Sequence, residues 1–127
     1  MYEKVFYYIL LFIGCGKNVA RKSLMNLTVE YFMRRGYEVK RNQVNDDNFS
    51  EFDLVVSKRK EVHPVRIKDW NRTVGVNIVI NMDKASQHAG FSNPILVAEK
   101  FSEHAKAYAN RRGIVLLSRF EIMRSLM

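Results

Sequence analysis

Two apolar runs near the carboxyl end, Pro94-Ile95-Leu96-Val97-Ala98 and Ile114-Val115-Leu116-Leu117, contain no polar residue. A strand with one wet face alternates, so unbroken runs of this kind predict strands covered on both faces. Between them, Ser102 is a suitable N-cap for a helix over Glu103 to Arg111 that stops at Gly113. Strand, helix and strand with both strands buried make a parallel crossover. That unit restricts the fold to an α/β sheet with helices on both sides.

The remainder of the chain supplies the other strands. From Asn18 to Arg35 the spacing is helical, with Leu24, Leu27, Tyr31 and Phe32 on one face and Gly36 as the stop. Tyr37 to Asn42 alternates as a strand, and Tyr37 is expected to pack the first helix onto the sheet. Asn45-Asp46-Asp47-Asn48 is turn chemistry. A strand holding Asp53, a basic turn at Lys58-Arg59-Lys60 and a strand from Val62 to Trp70 complete an antiparallel meander. Asn71-Arg72-Thr73 reads as a loop, and Val76, Val79, Met82, Asp83 and Ser86 mark a helix that ends at Gly90. Ser118-Arg119-Phe120-Glu121 fits a capping box for a last short helix. The expected fold is one mixed five-stranded sheet, a meander plus two parallel strands, flanked by helices.

At 127 residues this is one domain. Twenty-one Lys and Arg against 13 Asp and Glu leave a formal charge of +8, which favours polyanion partners. The single cysteine, Cys15, excludes an internal disulfide and a cysteine-built zinc site, and fits a reducing cytoplasm. Val5 to Ile13 is an unbroken apolar run, well short of the ~20 residues that cross a bilayer. Residues 1–16 are therefore set apart as an apolar segment, edge strand or helix, suited to a homodimer contact, and 17–127 as the domain. The leader Met1-Tyr2-Glu3-Lys4 lacks the net positive charge of a secretory signal, so no membrane association is expected. Gly14-Cys15-Gly16-Lys17 does not make a phosphate-binding loop: Leu11 stands where the first glycine belongs and Asn18 where a hydroxyl belongs.

The chemistry gathers on the second and third strands. Period-2 geometry puts Arg66 and Lys68 on one face and Val65 and Ile67 on the other, and strand pairing brings Asp53 beside them. Arg72 follows, and Lys58, Arg59 and Lys60 form a basic hairpin tip. Contacts of such cations to phosphate are salt-sensitive and independent of base sequence. Trp70 could stack a base, although a tryptophan ending a strand is more often core. His63, His88 and His104 are too scattered to form a metal set.

Phe52-Asp53-Leu54-Val55-Val56, Val65-Arg66-Ile67-Lys68-Asp69-Trp70 and the segments at 94–98 and 101–105 resemble, in order and spacing, the restriction-endonuclease-like nuclease superfamily. The resemblance covers residues 20 to 118 and is nearest to the Mrr-like and archaeal Holliday-junction-resolvase-like branches. It implies magnesium held by two carboxylates and a backbone carbonyl, with a lysine acting on the attacking water. By position, Asp53 would be a metal ligand, the Ile67 carbonyl another, and Lys68 the catalytic lysine. The second carboxylate position holds Arg66. A cation ~5 Å from magnesium is repelled by several kcal/mol at an effective dielectric near 20. Arg66 is instead expected to pair with Asp53. On the first helix, Leu24, Met25 and Asn26 stand where an additional acid often occurs. Glu30 lies too late on that helix, and Asp69 should face away from Lys68. The leading expectation is a DNA-binding member with a disabled nuclease site and no cofactor. One alternative is an active magnesium-dependent endonuclease or junction resolvase with an atypical metal shell. Another is a structural or assembly subunit.

Overall fold

The computed structural model describes residues 21–41 and 52–127. The apolar segment 1–16 and the turn at 45–48 lie outside the described residues. Among the described residues, four helices and five strands follow in the order α1 (Leu24–Arg34), β1 (Glu38–Arg41), β2 (Leu54–Lys58), β3 (Glu61–Val74), α2 (Val76–His88), β4 (Ile95–Phe101), α3 (Glu103–Arg112), β5 (Val115–Ser118) and α4 (Arg119–Leu126). The strands form one sheet in sequence order. β1, β2 and β3 are antiparallel, while β3, β4 and β5 are parallel. The expected meander and crossover are both present.

Each sheet face has its own core. On one, α1 and α4 bring Leu24, Leu27, Phe32 and Ile122 against Leu54, Val56, Val65, Ile95 and Val97. Tyr37 joins this cluster, edge-on to Phe32 with ring centroids 5.4 Å apart, which fulfils its expected packing role. On the other, α2 and α3 bring Val79, Met82, Ala105 and Ala109 against Val74, Leu96, Ala98 and Phe101. Successive residues of β4 feed opposite cores, so all of Ile95 to Ala98 is buried. The expectation of two covered faces fails for β5. As the outer strand it leaves Val115 44% exposed.

Two boundaries differ from the sequence reading. α1 starts at Leu24, and residues 21–23 are not helical. Ser23 Oγ accepts from the Asn26 N–H at 3.4 Å and Asp69 Oδ2 from the Leu24 N–H at 3.1 Å, so first-turn amides are satisfied here. The expected loop at 71–73 is strand, since β3 runs on to Val74. Its register against β4 shifts between Lys68 and Thr73, and pairing resumes at Thr73 with Lys100. The irregularity admits three exposed polar residues that read as a loop in the sequence. Among the described residues no helix is long and apolar enough to cross a membrane.

Polar links between elements are few and specific. Asp83 of α2 is buried and accepts from Tyr108 Oη and Arg112 Nε of α3, each at 2.9 Å. A buried carboxylate without such donors would be strongly unfavourable. A second network gathers at the start of α1. Asp69 Oδ1 meets Arg21 Nη1 at 2.8 Å and Arg119 Nη2 at 3.0 Å. Glu99 Oε2 accepts from Arg119 Nε at 2.8 Å and from Arg21. Arg119 Nη1 also donates to the Lys22 carbonyl at 2.9 Å. Four elements are tied together by these two acids and two arginines.

Burial pushes the Glu99 carboxyl up, but hydrogen bonds from Arg21 and Arg119 outweigh it and hold the group below its ordinary value of 4.5. A carboxylate depressed in the folded state contributes stability above its unfolded value, and that contribution is lost as pH falls through the folded one. The urea midpoint of Glu99→Gln should therefore fall below wild type at pH 7, and the gap should narrow as pH drops below about 4. Parallel pH profiles of the two proteins would contradict the assignment.

Candidate functional site

Asp53 lies at the bend just before β2, at the end of the β2–β3 ladder. Its N–H donates to the Val65 carbonyl at 2.9 Å, and its Oδ2 accepts from the Ile67 N–H at 2.7 Å. The carboxylate thus takes the place of a backbone carbonyl and carries the ladder one step beyond the strand. The expected Asp53–Arg66 ion pair is not formed. Among the described residues, no carboxylate lies within ion-pair distance of Arg66, Lys68 or Arg72. The physical reason is local: the Asp53 side chain is drawn to the amide of Ile67, a donor fixed by the strand itself.

Alternation along β3 does the rest. Ile67 packs toward the α1/α4 core, and Asp69 points the same way, into the Arg21–Arg119 network. Arg66, Lys68 and Trp70 project from the opposite face. Asp69 therefore turns away from Lys68, as expected. Burial and then the charge of Arg66 push the Lys68 ammonium below its ordinary pKa, with Asp53 acting the other way. A lysine destabilised by a neighbouring cation is a group that gains from an incoming anion. Trp70 packs partly against the α2/α3 core, and its ring also lies under two cations: Lys68 Nζ is 4.8 Å and Arg72 Cζ 4.2 Å from its centroid. The sequence reading weighed core against base stacking and missed this arrangement. The spacing Lys-x-Trp-x-Arg in a strand was the signal for it.

The basic hairpin divides. Lys58 is not free as expected: its Nζ donates to the Arg35 carbonyl at 2.9 Å beyond the end of α1, and sits 5.6 Å from the Tyr37 ring centroid. Arg59, in the turn with φ +58°, and Lys60 are exposed. Lys60 lies eight residues before Lys68, ~26 Å at 3.3 Å per residue, so the tip forms a separate patch. Leu24 is core, and Glu30 pairs with Arg34 at 3.4 Å, away from this site. His63 bonds the Asn93 carbonyl through Nδ1 at 2.9 Å, which fits its expected structural role. A hollow of about 580 Å³ lined by Tyr31, Arg35, Phe120 and Arg124 lies by α1 and α4, on the sheet face opposite Lys68.

The sequence matches the Mrr-type restriction endonuclease family over residues 17–126, and the chain belongs to that family. Its fold is restriction-endonuclease-like. Among solved structures it is similar to the protein of unknown function AF1548, at 22% identity and a TM-score of 0.66 over 80% of this chain and 65% of that one. It is also similar to a repair endonuclease from Pyrococcus abyssi, at 14% identity and a TM-score of 0.56 over 80% of this chain and 48% of that one. The chain thus spans between about half and two thirds of these structures. No curated protein matches it.

Nucleases of this family typically depend on a divalent metal. The groups around Asp53 fit such an ion poorly. One carboxylate oxygen is already bonded to an amide, and on the next strand Arg66 brings a positive charge to the site. Among the described residues no three His, Cys, Asp or Glu side chains converge. Asp53 has a ladder role that needs an acceptor rather than a charge. Asp53→Asn, which keeps an acceptor oxygen, should retain wild-type stability within about 0.5 kcal/mol, whereas Asp53→Ala should cost about 1–2 kcal/mol for the unsatisfied amide. Equal losses in the two variants by urea unfolding would count against this role.

Proposed function

We propose that the chain is a nucleic-acid-binding member of the restriction endonuclease family that grips the phosphate backbone of DNA without cleaving it. The observation that carries this reading is the row of unpaired cations Arg66, Lys68 and Arg72 on one strand, beside a carboxylate already engaged by backbone. Elsewhere the arginines Arg21, Arg112 and Arg119 have acidic partners within 3.0 Å. Cations left together without acids repel one another, and a polyanion relieves that repulsion. The charge of +8 supplies the long-range attraction. Arg59 and Lys60, well separated along the same strand pair, give a second point of contact with an extended backbone. Lys58, held to the end of α1, contributes little.

The reading against cleavage rests on Arg66. Where a second acid would help hold magnesium, a guanidinium repels it, and Lys68 then serves as a phosphate ligand rather than as a partner of the attacking water. Asp53 and Lys68 stand as the remnant of the catalytic set.

Wild-type protein with magnesium or manganese should leave supercoiled plasmid and four-way junctions intact. Arg66→Glu should introduce metal-dependent nicking that Asp53→Ala abolishes. Cutting by wild type that disappears in Asp53→Ala or Lys68→Ala would overturn the disabled-site reading and establish an active nuclease. In fluorescence anisotropy, wild type should bind labelled duplex DNA at low salt. Replacing Arg66, Lys68 and Arg72 by Ala should then reduce the dependence of log K on log salt by about 2–3. No affinity at low salt would remove the nucleic-acid reading altogether.

A further inference from the structure

We propose that Trp70 is a positioning residue, whose indole holds Lys68 and Arg72 together as a preformed pair of cations for neighbouring phosphates and does not stack on bases. This rests on the nucleic-acid reading above and narrows it to recognition of backbone.

Lys68 and Arg72 lie two residues before and two after Trp70, so they reach the ring from its two sides along the strand. With centroid distances of 4.8 and 4.2 Å, their charges are no more than about 9 Å apart. Without the ring between them, two side chains four residues apart on a strand start from Cα atoms ~13 Å apart and can diverge further into solvent. Phosphates follow one another along a DNA strand at a rise of ~3.4 Å and wind round the axis, so two cations held within about 9 Å can each meet a different phosphate of that strand. The ring is anchored from below by the α2/α3 core. An indole fixed in this way restricts two flexible cations before any ligand arrives, and that lowers the ordering cost of binding.

The same geometry argues against base stacking. A platform that stacks a base needs an open aromatic face. Here both strand neighbours of the ring lean over it, and Trp70 is itself half-buried. The ligand class implied is a chain of phosphates, whatever its bases.

Trp70 is the sole tryptophan, so its emission reports on this site directly. The test combines titrations of the full chain with a labelled 20-base-pair duplex, with inorganic polyphosphate as competitor, and with the variants Trp70→Leu and Trp70→Phe. Polyphosphate should displace the duplex and shift the tryptophan emission in the same direction as the duplex does. Trp70→Leu should weaken duplex binding about 5–10-fold, and Trp70→Phe, which keeps an aromatic face, should recover most of that. In a background carrying Lys68→Gln and Arg72→Gln, Trp70→Leu should change affinity less than about twofold, because the cations it positions are gone. A purely structural role would weaken both backgrounds equally and would overturn the inference. So would an emission change produced by duplex or oligo(dT) but not by polyphosphate, a result that needs no variant to fold. If wild type binds the duplex and Trp70→Leu binds it equally well, the positioning role alone falls. If wild type binds neither duplex nor polyphosphate, the nucleic-acid reading falls and takes this inference with it.

Discussion

β3 is hydrogen-bonded to an antiparallel neighbour along one edge and a parallel neighbour along the other, and both halves of the fold meet on it. A strand in that position cannot slide. A one-residue slip would exchange its two faces, moving Val65 and Ile67 out of the α1/α4 core and Arg66 and Lys68 into it. The apolar contacts of Val65 and the polar contacts of Asp69 enforce one register from opposite ends of the same segment. Everything proposed for the site follows from that register. It sets Arg66, Lys68 and Trp70 on the α2/α3 side of the sheet, and it aims the Ile67 amide at Asp53.

Charge is distributed along the strand with the same logic. Asp69, adjacent in sequence to Lys68, is removed from it by alternation and is saturated by two arginines and the Leu24 amide. An acid within ion-pair distance on the α2/α3 side would neutralise the lysine and weaken any attraction for phosphate. One side of β3 is thus a closed network that joins α1, β4 and α4, and the other is a row of cations with no acid in ion-pair distance among the described residues, Asp53 being engaged by the Ile67 amide. Binding would draw its strength from the second while the first keeps the strand in place. The charge of Lys68 is disfavoured by burial and then by Arg66, and the indole beside it offers partial relief that a bound anion would complete.

Much of this fold is legible in the sequence because its strongest signals are local. The unbroken run at Ile95 to Ala98 requires two covers, Ser102 and Ser118 cap their helices, and alternation through Val65 to Asp69 assigns faces. What the sequence concealed depends on partners far along the chain. Asn71-Arg72-Thr73 looks like a loop because its residues are polar, yet β4 continues the pairing beyond an irregularity that no local pattern reports. Val115 looks buried because β5 is apolar, but only strand order reveals that β5 is the outer strand. The hairpin lysine Lys58 looks free, and its attachment at Arg35 required knowing that α1 ends beside it. At the site, the charges of Asp53 and Arg66 suggested an ion pair. The competing donor was a backbone amide, which every residue but proline possesses and which composition therefore cannot flag.

That amide changes what Asp53 signifies. In a nuclease site an aspartate here would be read as a metal ligand, and its presence as a sign of activity. In this chain the carboxylate also closes the β2–β3 ladder, and the part-buried amide left without an acceptor would cost about 1–2 kcal/mol. A fold of marginal stability has reason to keep a side-chain acceptor here, Asp or Asn, even where no metal binds. The residue in the second acidic position has no such duty. Its side chain leaves the sheet on the α2/α3 side and makes no ladder bond, so a guanidinium or a carboxylate can stand there without disturbing the ladder. Under the proposed reading, the acid that also serves the fold is kept and one that would serve only a metal is absent, an asymmetry that a phosphate-binding site derived from a nuclease would show.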